Sequence, residues 1–310
     1  MRKHLISQLG HVELCTPRLE ESRAFFHDIL GMEESARAGD SVYMRCFGEF
    51  HHHSLKLTEG PETERPEFLH FAYRAEGPEQ LQTLVEIIDG KGLGEGWTDG
   101  DVGHGPAYRF RTPDNHPAEV FWEVELWKAP EELKGPVHTR PQRYVTRGAA
   151  ARRLDHINIT CASVTPVREF FCDDLGLQHS EIARIDGTLE ELISLTTSNN
   201  INHDLSITKH FRGLSGGISH TAFWYDSRDE IMRLADICRD YDVPMEWGPA
   251  RHRGSELFFF YVREPGGHRI ELCTGGYLVL APDWKPAEYL ASENQAVYWS
   301  GELPESMYGD

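Results

Sequence analysis

Three polar residues interrupt apolar strand-like segments in the second half of this chain. His156 sits in Leu154-Asp155-His156-Ile157-Asn158-Ile159, His220 in Gly217-Ile218-Ser219-His220-Thr221-Ala222, and Glu271 in Arg269-Ile270-Glu271-Leu272-Cys273. A carboxylate between apolar neighbours is costly to bury unless it is paired or ligates a cation. Two imidazoles and one carboxylate from separate strands make the facial triad of non-haem Fe(II) enzymes, which leaves other metal positions open. The plainer alternative is core histidines bound to backbone carbonyls and Glu271 paired with Arg269. A hairpin sharpens the first reading. Apolar runs at 257–263 and 268–273 flank Pro265-Gly266-Gly267. Tyr261 and Glu271 each lie five positions from Gly266, so they are predicted to face each other across the hairpin.

The elements that would position these residues repeat along the chain. Gly10-His11-Val12 resembles Asp155-His156-Ile157, and Phe25-Phe26-His27-Asp28-Ile29-Leu30-Gly31 resembles Phe170-Phe171-Cys172-Asp173-Asp174-Leu175-Gly176. Both anchors share one offset: His11 to His156 and Gly31 to Gly176 are 145 positions each. A fixed offset indicates a duplicated domain. Each copy opens with a strand, in which His156 and Asn158 share a face opposite Ile157 and Ile159. A helix follows, with Thr165 as its cap, Pro166 in its first turn and Gly176 at its end. Runs at 192–195 and 205–208 read as strands. A second unit starts near Gly217, and Ser227-Arg228-Asp229-Glu230 is a capping box opening a helix to about Asp240. The expected fold is α+β: two tandem domains, each of two β-α-β-β-β modules, forming a curved, barrel-like mixed sheet around a metal site. The expected divisions are residues 1–135, a linker at 136–150 within the Pro-, Arg- and Gly-bearing region 130–151, a catalytic domain at 151–280, and a tail at 281–310. The tail reads as a pocket lid or a subunit interface.

Composition narrows the function. A net charge of −19 argues against nucleic acid or an anionic membrane as partner. No apolar run approaches the roughly 18 residues of a membrane span. The N-terminus has no sustained apolar segment of the secretory kind. Six scattered cysteines, with no C-x-x-C pair, suit reduced thiols and a cytoplasmic location.

The order His156, His203-Asp204, His220, His252, Tyr261, Pro265-Gly266-Gly267-His268-Arg269-Ile270-Glu271 resembles the extradiol catechol dioxygenases of the vicinal oxygen chelate superfamily. The resemblance covers nearly the whole chain and is strongest over residues 154–275. It implies that His156, His220 and Glu271 hold Fe(II), or alternatively Mn(II), and that His203, His252 and Tyr261 act on the substrates. Asn158 matches an amide of the homoprotocatechuate branch. The implied reaction inserts both atoms of O2 into a catechol beside its hydroxyls, giving a muconate semialdehyde-type product. A homo-oligomer, dimer or tetramer, is expected. Tyr261 and His252 suit hydrogen bonds to the catechol oxygens, and His203 suits proton transfer as oxygen is reduced. Taken alone, His203 and His252 also read as solvated loop histidines.

The homoprotocatechuate branch reads a carboxylate with arginines, and this chain departs from it. Trp247 stands at one such position, and Ala296 and Val297 fall near the others. With Leu195, Trp247 suggests an aromatic, apolar wall and a neutral ring substituent. Two rival readings stay open: another metal-dependent enzyme of the superfamily, of glyoxalase or epimerase type, or a non-catalytic small-molecule-binding member.

The first half carries its own set. His11 aligns with His156, His70 with His220, Glu119 with Glu271, and His53-Ser54-Leu55 with His203-Asp204-Leu205. Tyr261 is replaced by Arg109, and no residue plainly matches His252. The half reads as a non-catalytic relic, with metal binding by His11, His70 and Glu119 left open. His51-His52-His53 reads as a solvated or interfacial run. The glycines of 90–105 lack a phosphate-loop pattern and read as a flexible loop.

Overall fold

The computed structural model describes residues 4–63, 65–293, 296–299 and 303–308. Met1, Arg2, Lys3 and parts of the tail lie outside them. The chain forms two mixed sheets. The first runs, edge to edge, through Glu33–Ala38, Ser41–Arg45, Leu55–Glu59, Ile6–Thr16, Phe68–Ala75, Pro117–Phe121, Ala107–Arg111 and Gly94–Thr98. The second runs through Met245–Arg251, Leu257–Arg263, Arg269–Gly275, Gly217–Trp224, Arg153–Cys161, Leu205–Lys209, Glu191–Thr197, Gln178–Arg184 and the tail strand Ala287–Leu290. Apart from the tail strand, the two orders are the same arrangement read in opposite directions. This is the α+β fold of tandem β-α-β-β-β modules expected from the repeat.

The opening strands alternate because one face meets the helices and the other the site. Ile157 and Ile159 are fully buried in the apolar core, with Val12 and Leu14 at the corresponding places. One hydrophobic cluster runs through both halves, so they share a core. The contacts between them are reciprocal. His116 Nε2 lies 2.9 Å from Thr160 O, and His268 Nε2 lies 2.8 Å from Cys15 O. Each bond ties a hairpin turn of one half to the end of the opening strand of the other.

The first helix of the second half departs from its expected start. Ser163 is the N-cap and the helix opens at Val164, so Thr165 lies inside the first turn. Ser163 has the extended backbone of a cap, and Pro166 falls where a missing N–H leaves nothing unsatisfied. The helix then widens into a π turn at Phe170–Asp174, and the same happens at Phe25–Ile29. Gly31 and Gly176 end these turns with positive φ, as C-terminal glycines do. The Ser227–Glu230 capping box is present, and its helix spans Arg228–Asp240 as predicted.

Candidate metal centre

The triad sits on the three central strands of the second sheet. Gly217–Trp224 lies between Arg153–Cys161, with which it is antiparallel, and Arg269–Gly275, with which it is parallel. Side chains from the site face of these strands must converge, and they do. His156 Nε2 lies 3.3 Å from His220 Nε2 and 3.1 Å from Glu271 Oε2, and His220 Nε2 lies 3.0 Å from that same oxygen. All three residues are buried. Donors about 3 Å apart are what three neighbouring positions of an octahedral ion require. The other oxygen, Glu271 Oε1, accepts no hydrogen bond. The donor set therefore fits a divalent transition-metal ion.

Polar partners hold the rings in place. Asp155 Oδ2 accepts from His156 Nδ1 at 2.8 Å, and Ser219 Oγ lies 3.3 Å from His220 Nδ1. A ring nitrogen tied in this way presents the other nitrogen to a metal. Asp155 also groups with His156 and Cys273 at ligand-like spacing, but it addresses the nitrogen facing away from Glu271. Asp155 is a positioning residue that the sequence reading missed, although its place directly before His156 was the available signal.

Close packing of the three groups sets their electrostatics. Burial pulls His156 down, but the Glu271 and Asp155 carboxylates outweigh it and hold the imidazole up at about 9. Burial opposes ionisation of Glu271 too, yet the surrounding imidazoles keep it well below the usual carboxylate range. His220 is pushed down to about 4, chiefly by burial.

The hairpin register is the predicted one: Tyr261 pairs with Glu271. The Tyr261 hydroxyl donates to Glu271 Oε2 at 2.9 Å, and burial followed by the Glu271 charge pushes its pKa well above the usual phenol range. His252 Nδ1 donates to Ala296 O at 2.6 Å, which leaves Nε2 facing the Tyr261 hydroxyl at 3.3 Å. His203 is buried, with its ring centroid 4.1 Å from that of His156. Burial and the neighbouring His156 push its pKa well below the ordinary value. Asn202, also missed in the sequence, accepts from both the His203 backbone N–H and Nδ1. Asn158 pairs with His220 across the strands, and its Oδ1 has no hydrogen-bond partner.

These groups close one end of a cavity of about 370 Å³. Leu195 and Trp247 are on its wall, and Trp247 stacks parallel to Tyr261 with centroids 5.7 Å apart. The tail lies along it through Leu290, Ala296, Leu303 and Met307. One acid lining the cavity carried no sequence signal. Glu181 is buried and accepts from Tyr277 and Tyr289 at 2.7 and 2.8 Å. Burial raises its pKa.

The first half differs from its expected description at three points. His52 and His53 are buried rather than solvated, because the turn before Leu55–Glu59 directs them inward. The glycine-rich stretch is not one loop: it contains the strand Gly94–Thr98. His252 also has a counterpart, His104, in the corresponding connection between strands. His104 Nε2 lies 3.7 Å from Glu119 Oε1, and His252 Nε2 lies 3.6 Å from Glu271 Oε1. The match was hidden because 15 positions separate His104 from Glu119 and 19 separate His252 from Glu271. A loop-length difference breaks any constant offset.

The Glyoxalase/Bleomycin resistance protein/Dioxygenase superfamily matches residues 8–120 and 153–272, one stretch in each half. The chain belongs to this superfamily. It is 40% identical over 282 residues to a metapyrocatechase of Geobacillus stearothermophilus, covering 91% of this chain and 85% of the relative. It is 37% identical over 303 residues to the manganese-dependent 2,3-dihydroxybiphenyl 1,2-dioxygenase of Geobacillus genomosp. 3, covering 96% and 94%. The structure superimposes on homoprotocatechuate 2,3-dioxygenase from Arthrobacter globiformis with a TM-score of 0.87 at 27% identity, covering 99% of this chain and 92% of that one. Within the superfamily the chain is an extradiol ring-cleaving dioxygenase.

Proposed function

We propose that this enzyme opens catechols bearing a neutral ring substituent, at a metal held by His156, His220 and Glu271. The observation that carries the reading is the convergence of three buried donors within 3.0–3.3 Å at the end of an apolar cavity. Fe(II) is the proposed ion. The name of the 37% identical relative makes Mn(II) the alternative. When bound, the ion supplies the charge that favours an ionised diol and the redox access that lets O2 react with it.

The chain's own groups then position substrate and move protons. Tyr261 has one hydroxyl proton and two acceptors, Glu271 Oε2 and His252 Nε2. With Glu271 engaged by a cation, that hydroxyl is free to donate to a diol oxygen, and His252 Nε2 can take up or return the proton. His203 is kept neutral by burial, and Asn202 fixes Nδ1 as the protonated nitrogen. Its Nε2 is then a base able to accept a proton during ring opening and give it back. The Asn158 amide faces the cavity beside His220 and serves to orient the substrates.

Three observations support a neutral substituent. Leu195 and Trp247 offer apolar wall, Glu181 places a buried carboxyl in the cavity, and the 37% identical relative is named for a diol whose substituent is a phenyl ring. An anionic substituent would meet Glu181 with little water to screen it. In this reading residues 151–280 carry catalysis, residues 1–135 do not, and the tail acts as a lid. A cytoplasmic homo-oligomer is proposed, the location resting on six scattered cysteines with no C-x-x-C pair. The test is anaerobic loading with Fe(II), then a substituted catechol, then air. A yellow ring-opened product is expected from 3- or 4-alkylcatechols. Catechol binding without that product would reject ring cleavage.

A further inference from the structure

The histidines of the first half take no part in this chemistry, yet they converge as tightly as ligands do. His11 Nε2 lies 3.1 Å from His70 Nε2 and 3.3 Å from Glu119 Oε1. His70 Nε2 and His104 Nε2 lie 3.5 and 3.7 Å from that same oxygen. Three imidazoles therefore aim their outer nitrogens at one carboxylate oxygen. Glu119 is 2% exposed, and Oε1 accepts no hydrogen bond. Leaving a buried carboxylate oxygen so placed is unfavourable unless a cation or a proton occupies the centre.

Two of the rings are already oriented for a metal. His70 Nδ1 lies 2.9 Å from Glu13 Oε2, and His104 Nδ1 donates to Gly105 O at 2.9 Å. Such ties leave the Nε2 lone pairs pointing inward. Four donors about 2.0–2.2 Å from a tetrahedral ion stand roughly 3.3–3.6 Å apart. Four separations among His11, His70, His104 and Glu119 are 3.1–3.7 Å, about that edge, and the ligand atoms of His11, His104 and Glu119 all lie within 4.8 Å of one another.

The space in front of the cluster is filled. Glu13 stands where Asn158 does in the other half, Lys56 where Ser206 does, and Tyr43 where Leu195 does. Lys56 Nζ lies 3.1 Å from Glu13 and 2.7 Å from Asp101, and Tyr43 donates to Asp101 at 2.7 Å. Arg109 Nε lies 3.5 Å from Glu119 Oε2, the second carboxylate oxygen.

We infer that the first half binds a second divalent cation of the zinc class through His11, His104 and Glu119, with His70 as the fourth donor. Among the described residues Glu13, Lys56, Tyr43 and Arg109 close the site against substrate and O2, and its role is to hold the first sheet together. Imidazole-rich, four-donor sites without an opening suit Zn(II). The inference is independent of ring cleavage.

The test is metal stoichiometry of the full chain, stripped with chelator and reloaded with Zn(II) alone. Two equivalents per chain are expected. His104→Ala should lose one, Glu271→Ala the other. Co(II) loaded into Glu271→Ala should give the intense visible absorption of a four-coordinate ion. A single equivalent in the unaltered chain overturns the inference. So does a second equivalent that survives both His104→Ala and Glu119→Gln. If a variant does not fold, the stoichiometry of the unaltered chain still decides, because a cluster holding only a proton takes up no second ion.

Discussion

The two halves present the same donors and opposite surroundings. Around Glu271 the neighbouring positions are Asn158, Ser206 and Leu195, which leave a cavity. Around Glu119 they are Glu13, Lys56 and Tyr43, which bond to one another and to Asp101 and fill it. Tyr261 faces Glu271 where Arg109 faces Glu119, and Trp247 lines the wall where Gly96 pairs with Arg109. We propose that a triad is not sufficient for an active site. What separates the halves is room for a substrate and a neutral proton donor beside the carboxylate, both set by residues that ligate nothing.

The largest effect should come from breaking the donor set itself. Glu271→Ala should remove the metal of the second half and lower ring cleavage by roughly a thousandfold or more, since a metal contributes several kcal/mol. Metal analysis and turnover check this together. Full metal content and activity in that variant would dissolve the contrast between the halves.

Next is His203, whose counterpart His53 sits beside His11, ring centroids 5.1 Å apart. His203→Asn should leave anaerobic catechol titration near normal and slow turnover by about a thousandfold, within the range of proton-transfer catalysis. Collapse of catechol binding with unchanged oxygen reactivity would mean that His203 only shapes the pocket.

Tyr261→Phe should keep its metal, because the phenol is not a proposed ligand, and turn over about a hundredfold more slowly. Tyr261→Arg copies the first half at this one position, and a larger loss is expected from it. Equal, unaltered rates in both would show that the residue opposite the carboxylate does not distinguish the halves.

The smallest effect concerns the substituent. kcat/KM for an alkylcatechol should exceed that for homoprotocatechuate by about tenfold, the size of a modest electrostatic penalty. Glu181→Gln should narrow the gap. A preference for the acid would place a cation, such as Arg251 or Arg253, in the pocket instead.

Sequence period and offset were enough for the opening strands, the duplication, the grouping of His156, His220 and Glu271 and the pairing of Tyr261 with Glu271. These are local quantities: alternation fixes which face a strand residue takes, and a tight turn fixes what lies opposite it. His156, His220 and Glu271 were legible because each is polar within an apolar strand, an expense that demands a reason. Other features left no such mark. His104 lies in a connection whose length changed between the copies. Glu181 looks like any acid on an amphipathic strand until Tyr277 and Tyr289 close over it. Lys56, Asp101 and Tyr43 come from three separate segments, and only curling of the sheet makes them one plug. The sequence by itself determined which face of their strands His156, Asn158, Tyr261 and Glu271 take. The tertiary structure decided which inward space is empty and which is filled, because a void is a property of all the walls at once and no single strand encodes it.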